Sequence, residues 1–137
     1  MLHRDRIEVE YGPLYPELGL TIWSPLAGGR LTDKTNRAPT KSRAGETVDP
    51  LVGKLQDLAK TLGCNVAQLA LAWSIANTDV STAIFGSSSL AQLEDNFGAL
   101  EVLPKLTAEI MGEIDGILEN VPSGGPDKSY RTTASKL

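Results

Sequence analysis

The residues best suited to chemistry lie in one stretch, "TIWSPLAGGRLTDKT" (21–35), where strand-forming residues run into Ser24-Pro25, a glycine pair and Lys34-Thr35. Glycine turns let backbone N–H groups approach an anion closely, so the first candidate is a phosphate loop. The Walker pattern asks for glycine, four residues, glycine, lysine, then serine or threonine. Gly28 opens that pattern and Lys34-Thr35 closes it, but Asp33 stands at the second glycine, where its carboxylate would face the phosphates. The residues after Thr35, "NRAPTKSR", read as loop and not as the helix the pattern needs. The Walker reading fails.

A different anion site survives. A second turn of small residues, "GSSS" (86–89), follows the apolar run "STAIF" (81–85), and the helix opened by Ser89 would add the positive end of its dipole. In a parallel barrel both turns would emerge on the carboxyl-end face, where sites belong. Residues 28–43 add Arg30, Lys34, Arg37, Lys41 and Arg43 against the single acid Asp33, which leaves 8 of the 13 basic and 16 of the 17 acidic residues elsewhere. A basic segment on an acidic body suits a local anion site, whereas nucleic-acid binding charges a whole face. On residues alone the plainer alternative stays open: solvated lysines on a loop, and turns that only connect elements.

The other reactive side chains are isolated. His3 has no nucleophile beside it and reads as a surface histidine. Cys64 falls between two helices, next to no basic residue in the sequence, and reads as packing. One cysteine excludes an internal disulfide, and with one histidine a zinc site is short of ligands. The run "CNVAQLALAWSIAN" is broken by Asn65, Gln68 and Ser74 and is too short to span a bilayer, while "MLHRDRIEVE" carries charge from its third residue and is no signal peptide. The chain reads as intracellular and metal-free, with no nucleic-acid partner and no membrane insertion.

The elements that must position the turns follow from local patterns. A helix is expected over "RIEVEYGPLYPEL", ending near Gly19, and a strand at "LTIW" ended by Ser24-Pro25. After a polar loop (28–48), Asp49-Pro50 starts a helix with Leu51, Leu55, Leu58 and Leu62 inside, stopped by Gly63. Asn65, with Gln68 three residues on, caps the next helix, whose buried face is Leu69, Trp73 and Ala76. "STAIF" has no charge and is expected to be buried on both faces. Ser89 and Gln92 form a capping box for a helix carrying Leu90, Leu93, Phe97 and Leu100, and a last helix from Thr107 holds Ile110, Ile114 and Ile117. Two buried strands joined by a helical crossover are a βαβ unit, and two strands cannot cover their own edges. Such a unit needs neighbours.

"EYGPLYPELGLTIWSPLAGGRLT", "LGCNVAQLALAW" and "IFGSSSLAQLEDNFGALEVLPKLT" resemble the second half of aldo-keto reductases, with a nearest likeness to the beta subunits of voltage-gated potassium channels. The likeness runs from Met1 to about Leu118 with several motifs in order, and it implies an α/β fold: the C-terminal portion of a (β/α)8 TIM barrel, the last two strands with their helices. It divides the chain into a partial reductase domain (1–120) and a polar tail (121–137). It implies NADP(H) as cofactor and reduction of aldehydes and ketones by hydride transfer. "WSPLAG" then corresponds to the pyrophosphate stretch, Trp23, Ser24, Pro25, Leu26, Ala27 and Gly28. Lys34 and, across a one-residue gap, Arg43 correspond to the basic loop that closes over the phosphates. Gly86, Ser88 and Gln92 correspond to the 2′-phosphate site, with Asp95 and Asn96 toward the adenine. Two departures stand out: Asp33 where the family has glycine, and Asp95 where it usually has glutamate.

The resemblance also implies what is missing. The family's catalytic tyrosine, lysine, aspartate and histidine lie in its first half-barrel, and Tyr11, Tyr15 and Tyr130 do not fit the tyrosine's motif. No catalytic residue is assigned, and the chain alone is expected to be inactive. Three functions compete: the NADP(H)-binding half of a reductase, a regulatory channel beta-subunit-like protein, and a non-catalytic half-barrel acting by association. The expected partners are accordingly NADP(H), the missing N-terminal half-barrel or a full-length relative, and a channel subunit. The terminal Ser135-Lys136-Leu137 reads as a peroxisomal address in a eukaryote, against a cytoplasmic default.

Overall fold

In the computed structural model, residues 1–15, 17–32 and 50–123 are described. Strand β1 is Leu20–Trp23, helices α1 and α2 are Pro50–Thr61 and Val66–Ile75, and strand β2 is Val80–Ile84. Helices α3, α4 and α5 follow as Leu90–Phe97, Ala99–Val102 and Ala108–Leu118. The two strands pair in parallel, with Trp23 beside Ile84 and Thr21 beside Thr82. The ladder slips between Leu20 and Thr21, leaving Ser81 as an extra residue. A Cβ on Gly19 would meet the Ser81 hydroxyl, so a larger residue here requires Ser81 to turn its hydroxyl aside.

Helix limits follow local chemistry closely. α1 begins at Pro50, where a missing N–H costs nothing; its expected cap, Asp49, lies outside the described residues. It ends at Gly63, which has φ 71°: Gly63 N–H bonds to Lys60 O and Cys64 N–H to Ala59 O, a Schellman motif. α2 opens with a complete capping box, Asn65 Oδ1 accepting from Gln68 N–H at 2.9 Å and Gln68 Oε1 from Asn65 N–H at 3.1 Å. α5 is capped by Thr107, whose hydroxyl accepts from Ile110 N–H.

α2 is the centre of the molecule. Leu69, Trp73 and Ala76 are buried as expected, but so are Val66, Ala67, Ala70, Leu71, Ala72 and Ser74. The reason is position: α2 packs against β2, α1, α3 and α4 at once, so it has no solvent face over most of its length. Leu31, Leu55, Leu69 and Ile114 are fully buried and join the loop after β1, α1, α2 and α5 into one core. On α1, Leu55 and Leu58 are buried with Val52 and Ala59, while Leu62 is half-buried against them; on α5, Ile110 and Ile117 likewise flank Ile114.

Five expectations are corrected. The segment before β1 is not one helix but a π-helical turn, Arg6–Glu10, and a 3-10 turn, Gly12–Leu14. Pro13 has no N–H to donate into a continuing helical ladder, which breaks the continuation. β2 starts and ends one residue earlier than "STAIF"; Phe85 leaves the ladder and meets Phe97 edge-on, ring centroids 6.2 Å apart. β2 is not buried on both faces: Leu20, Ile22, Val80 and Ala83 are half-buried, while Thr21, Trp23, Thr82 and Ile84 are exposed, Trp23 at 82% and Ile84 at 58%. Finally, Ser89 accepts from Gln92 N–H, but Gln92 Oε1 does not return to Ser89 and instead accepts from the N–H and hydroxyl of Ser88 at 2.8 and 2.9 Å. The single helix expected to carry Leu90, Leu93, Phe97 and Leu100 is divided at Gly98 into α3 and α4, and Leu90, Phe97 and Leu100 are exposed.

Candidate functional site

Because β1 and β2 run parallel and in register at Trp23 and Ile84, the turns that follow them leave the sheet side by side at its carboxyl end. The first turn, Ser24–Gly29, is an unusual piece of backbone. Ser24 has φ 54° and Ala27 φ 50°, left-handed values that cost a non-glycine residue roughly 1–2 kcal/mol each, and Gly28 and Gly29 follow at 67° and 97°. Pro25 and Leu26 are buried beneath it, and Leu31 and Thr32 anchor its far end. Any contact from Pro25 or Leu26 to a ligand is therefore through backbone. Trp23 stands beside the turn with its ring open to solvent, a flat surface on which a planar ring can stack.

The N–H groups from Ala27 to Leu31 are used within the turn. Ala27 N–H bonds to Ser24 O at 2.9 Å, Gly29 N–H to Leu26 O at 2.9 Å, Arg30 N–H to Ala27 O at 3.3 Å and Leu31 N–H to Leu26 O at 3.2 Å. Gly28 N–H bonds to the Ser24 hydroxyl at 3.2 Å. A Cβ built on Gly28, Gly29 or Gly86 would meet nothing within 4 Å.

In the second turn, Gly86 and Ser88 are exposed and Ser88 is tied to Gln92 as described. Asp95 turns toward α2: its carboxylate accepts from Asn65 Nδ2 at 2.8 Å and Gln68 Nε2 at 3.2 Å, and its carbonyl accepts from Gln68 Nε2 at 2.7 Å. Asn96 is buried and donates to Ser87 Oγ at 3.3 Å. Asp95 ties α3 to α2, and Asn96 ties α3 to the second turn. Lys34 and Arg43, with Asp33 between the glycines and Lys34, lie outside the described residues.

The structure also contains a charged cluster that the sequence reading did not single out. The Arg4 guanidinium is fully buried: Nε bonds Glu8 Oε1 at 2.8 Å, Nη2 bonds Glu8 Oε2 at 3.1 Å and Nη1 bonds Asp115 Oδ1 at 2.6 Å. It lies 5.4 Å from the centre of the Trp73 ring, and Asn120 donates to the carbonyls of Met1 and Leu2 beside it. Burial by itself would lower the Arg4 pKa; the hydrogen bonds and charges of Glu8 and Asp115 outweigh it and raise the pKa above the ordinary arginine value. A small cleft of about 30 Å³, room for one or two waters, adjoins Arg4 and is lined by His3, Glu8, Ile22, Ser74 and Asn77 among others. The one sequence signal was the i, i+4 spacing of Arg4 and Glu8.

Cys64 is half-buried at the end of α1, with Sγ 3.4 Å from Ala59 O. Burial raises its pKa, and the ammonium of Lys105 pulls it part of the way back, so a cation does lie near this thiol after all. Since the folded pKa lies above the unfolded one, Cys64 contributes its stability at and below the ordinary thiol range and loses it as pH rises through the folded value. Alkylation by iodoacetamide near pH 7.5 is accordingly expected to be several-fold slower than for a free thiol, measured by mass spectrometry. A rate equal to that of free cysteine would contradict it.

Among the described residues, no group of three or more His, Cys, Asp or Glu is placed to hold a metal ion, and no helix is long and apolar enough to cross a membrane. The sequence model of the Aldo/keto reductase family matches residues 12–119. The chain belongs to the aldo/keto reductase family. It is thus a member of an oxidoreductase family whose members generally use NAD(P)H, and its small parallel sheet with flanking helices fits part of an α/β fold. Within this aldo/keto reductase, both turns and the sheet between them fall inside the matched residues, while the Arg4–Glu8 pair precedes them.

Proposed function

We propose that this chain supplies the NADP(H)-binding C-terminal part of an aldo-keto reductase barrel, with β1 and β2 as the last two strands, and that carbonyl reduction requires residues it does not contain. One observation carries the reading: two parallel strands deliver two turns of small residues to the same end of the sheet, next to an exposed aromatic face of Trp23. Trp23 would stack on the nicotinamide, the Ser24–Gly28 backbone would follow the pyrophosphate, and Gly86, Ser88 and Gln92 would meet the 2′-phosphate, with Lys34 and Arg43 closing over the anions and Asp95 and Asn96 framing the adenine side. The bound cofactor would supply the hydride.

The bare sheet face bearing Thr21, Trp23, Thr82 and Ile84 supports a barrel interior completed by further strands, either from a missing N-terminal half or from a full-length relative. The same face favours the second reading, a half-barrel that acts by association. The likeness to the channel beta-subunit branch rests on the motifs alone, and so does the division into a domain at 1–120 and a tail at 121–137. The terminal Ser-Lys-Leu lies outside the described residues and stands as a proposal of peroxisomal import in a eukaryotic cell, with the cytoplasm otherwise.

Titration of the Trp fluorescence with NADP+ and NAD+ tests the cofactor. Losing a charge-assisted hydrogen bond costs about 1.5–3 kcal/mol, so the 2′-phosphate contacts are expected to favour NADP+ by roughly ten- to a hundredfold. Gln92→Ala should lower that ratio and leave NAD+ affinity nearly unchanged, whereas Lys34→Ala, on the loop that closes over the diphosphate, should weaken both nucleotides. Equal affinities for the two nucleotides would refute the assignment.

A further inference from the structure

We propose that the outer edge of β2 and the apolar stripe beside it pair with a second copy of this chain about a two-fold axis. Such pairing rests on the association reading above and owes nothing to the cofactor. Among the described residues β2 has one neighbour, β1, so its other edge offers main-chain groups to an incoming strand. That edge lacks the charges and prolines that usually block such contact: Val80–Ile84 holds neither, nor does Phe85 after it. Its one irregularity, the extra residue Ser81, lies near its start. The outer edge of β1 is less open, being four residues long and stopped by Ser24-Pro25, where the backbone turns left-handed.

The stripe supplies the rest of the surface. Leu90, Leu93, Phe97 and Leu100 recur at spacings of three, four and three, and Leu90, Phe97 and Leu100 are 70%, 55% and 59% exposed. α3 packs beside α2, which covers β2, and Phe97 meets Phe85 at the end of β2, so stripe and strand edge adjoin. With Ile84 these side chains offer roughly 400 Å² of apolar surface per copy. Two copies cover about twice that, and strand pairing brings the contact to the roughly 1,000 Å² that a specific interface needs. An apolar stripe and an uncharged edge are each complementary to themselves, so a copy matches this surface by symmetry, where a foreign strand would have to match it by sequence. The axis sets β2 antiparallel to its copy and brings the two stripes together. Glu94 and Glu101, exposed beside the stripe, then gather like charges at the rim, so salt should strengthen the pair.

Sedimentation equilibrium of the full chain over roughly 1–200 μM, the affinity range of so small an interface, tests the pairing. A monomer–dimer equilibrium that tightens with added salt is expected. Thr82→Lys on the strand and Leu100→Glu on the stripe should each weaken the dimer about tenfold or more. Leu18→Glu, a leucine 58% exposed ahead of β1, should change it less than about twofold. Hydrogen exchange locates the contact without any substitution: β2 amides should exchange several-fold more slowly in the dimer, and those of Gly12–Leu14 should not change. It decides the matter even if a variant fails to fold. Open-ended assemblies, or a dimer broken by Leu18→Glu and not by the other two, would overturn the proposal. So would a chain that stays monomeric. A monomer that binds the first half of a related barrel would leave the C-terminal-part reading intact, whereas one that ignores it would overturn the association reading too.

Discussion

Replacing Arg4 with alanine is expected to destabilise the chain by about 3–5 kcal/mol, a large share of the stability of any domain this size. The guanidinium has no exposed surface and Glu8 has almost none, so the substitution strands a carboxylate where water cannot reach it. Asp115 is less constrained: its side chain keeps 19% of its exposure and can rehydrate. The damage should therefore centre on Glu8. Arg4→Met fills the space but leaves the same stranded charge and should be nearly as harmful as alanine. The pair Arg4→Met with Glu8→Leu removes both charges and should recover most of the loss. Urea unfolding of the parent, Arg4→Met, Glu8→Leu and the double variant gives the coupling directly. A double variant as unstable as Arg4→Ala would show that packing against Trp73, and not the ion pair, accounts for the effect.

The second large effect is an absence of turnover. NADPH oxidation by the purified chain in the presence of an aldehyde panel is expected to stay at the uncatalysed rate. Hydride transfer to a carbonyl generates an alkoxide, which needs a proton donor and fixed dipoles; these typically contribute about 10²–10⁴-fold and 10²–10³-fold in rate. The exposed sheet face presents Thr21, Trp23, Thr82 and Ile84, none of which is an acid of suitable strength. Tyr15 donates to the Ile7 carbonyl at 3.5 Å, Tyr11 sits in the turns before β1, and Tyr130 lies outside the described residues. His3 lines the cleft beside Arg4, next to Ile22, whose side of the sheet is the covered one. Mixing the chain with the first half of a related barrel should restore activity if its face is the missing surface. Turnover by the chain alone that disappears in Trp23→Ala and Gln92→Ala would refute the proposal.

Much of this was legible wherever a device acts within a few residues. Asn65 and Gln68 satisfy each other's backbone across one turn, and Gly63 takes its positive φ to close the end of α1, so both were readable from spacing. The Ser89 box was half right because Ser88, one residue earlier, offers Gln92 two donors where Ser89 would offer one. The π-helical turn was not legible, since its geometry goes with an Arg4 side chain drawn toward Asp115, 111 residues away. The two turns could be recognised as small and strand-following. Their shared end of the sheet followed only from the assumed βαβ pairing, which the parallel register bears out.

By itself, then, the sequence determined the limits of α1, α2 and the start of α5, the two strands to within a residue, the crossover between them and the family, because each depends on caps, spacing or motifs that are local in the chain. Tertiary structure alone decided the rest. α2 could be recognised as apolar, but its burial on nearly every side required β2, α1, α3 and α4 to arrive around it. The uncharged strand β2 looked like an interior strand, yet one face is bare, because a residue type states which solvent a side chain tolerates and not whether a neighbour is present to cover it. Arg4 drew no reading from its local sequence, because its burial depends on the carboxylate of Asp115 joining Glu8 to meet it. The turn at Ser24 looked like an open cradle of N–H groups, and only its folded backbone angles reveal that those donors are already engaged.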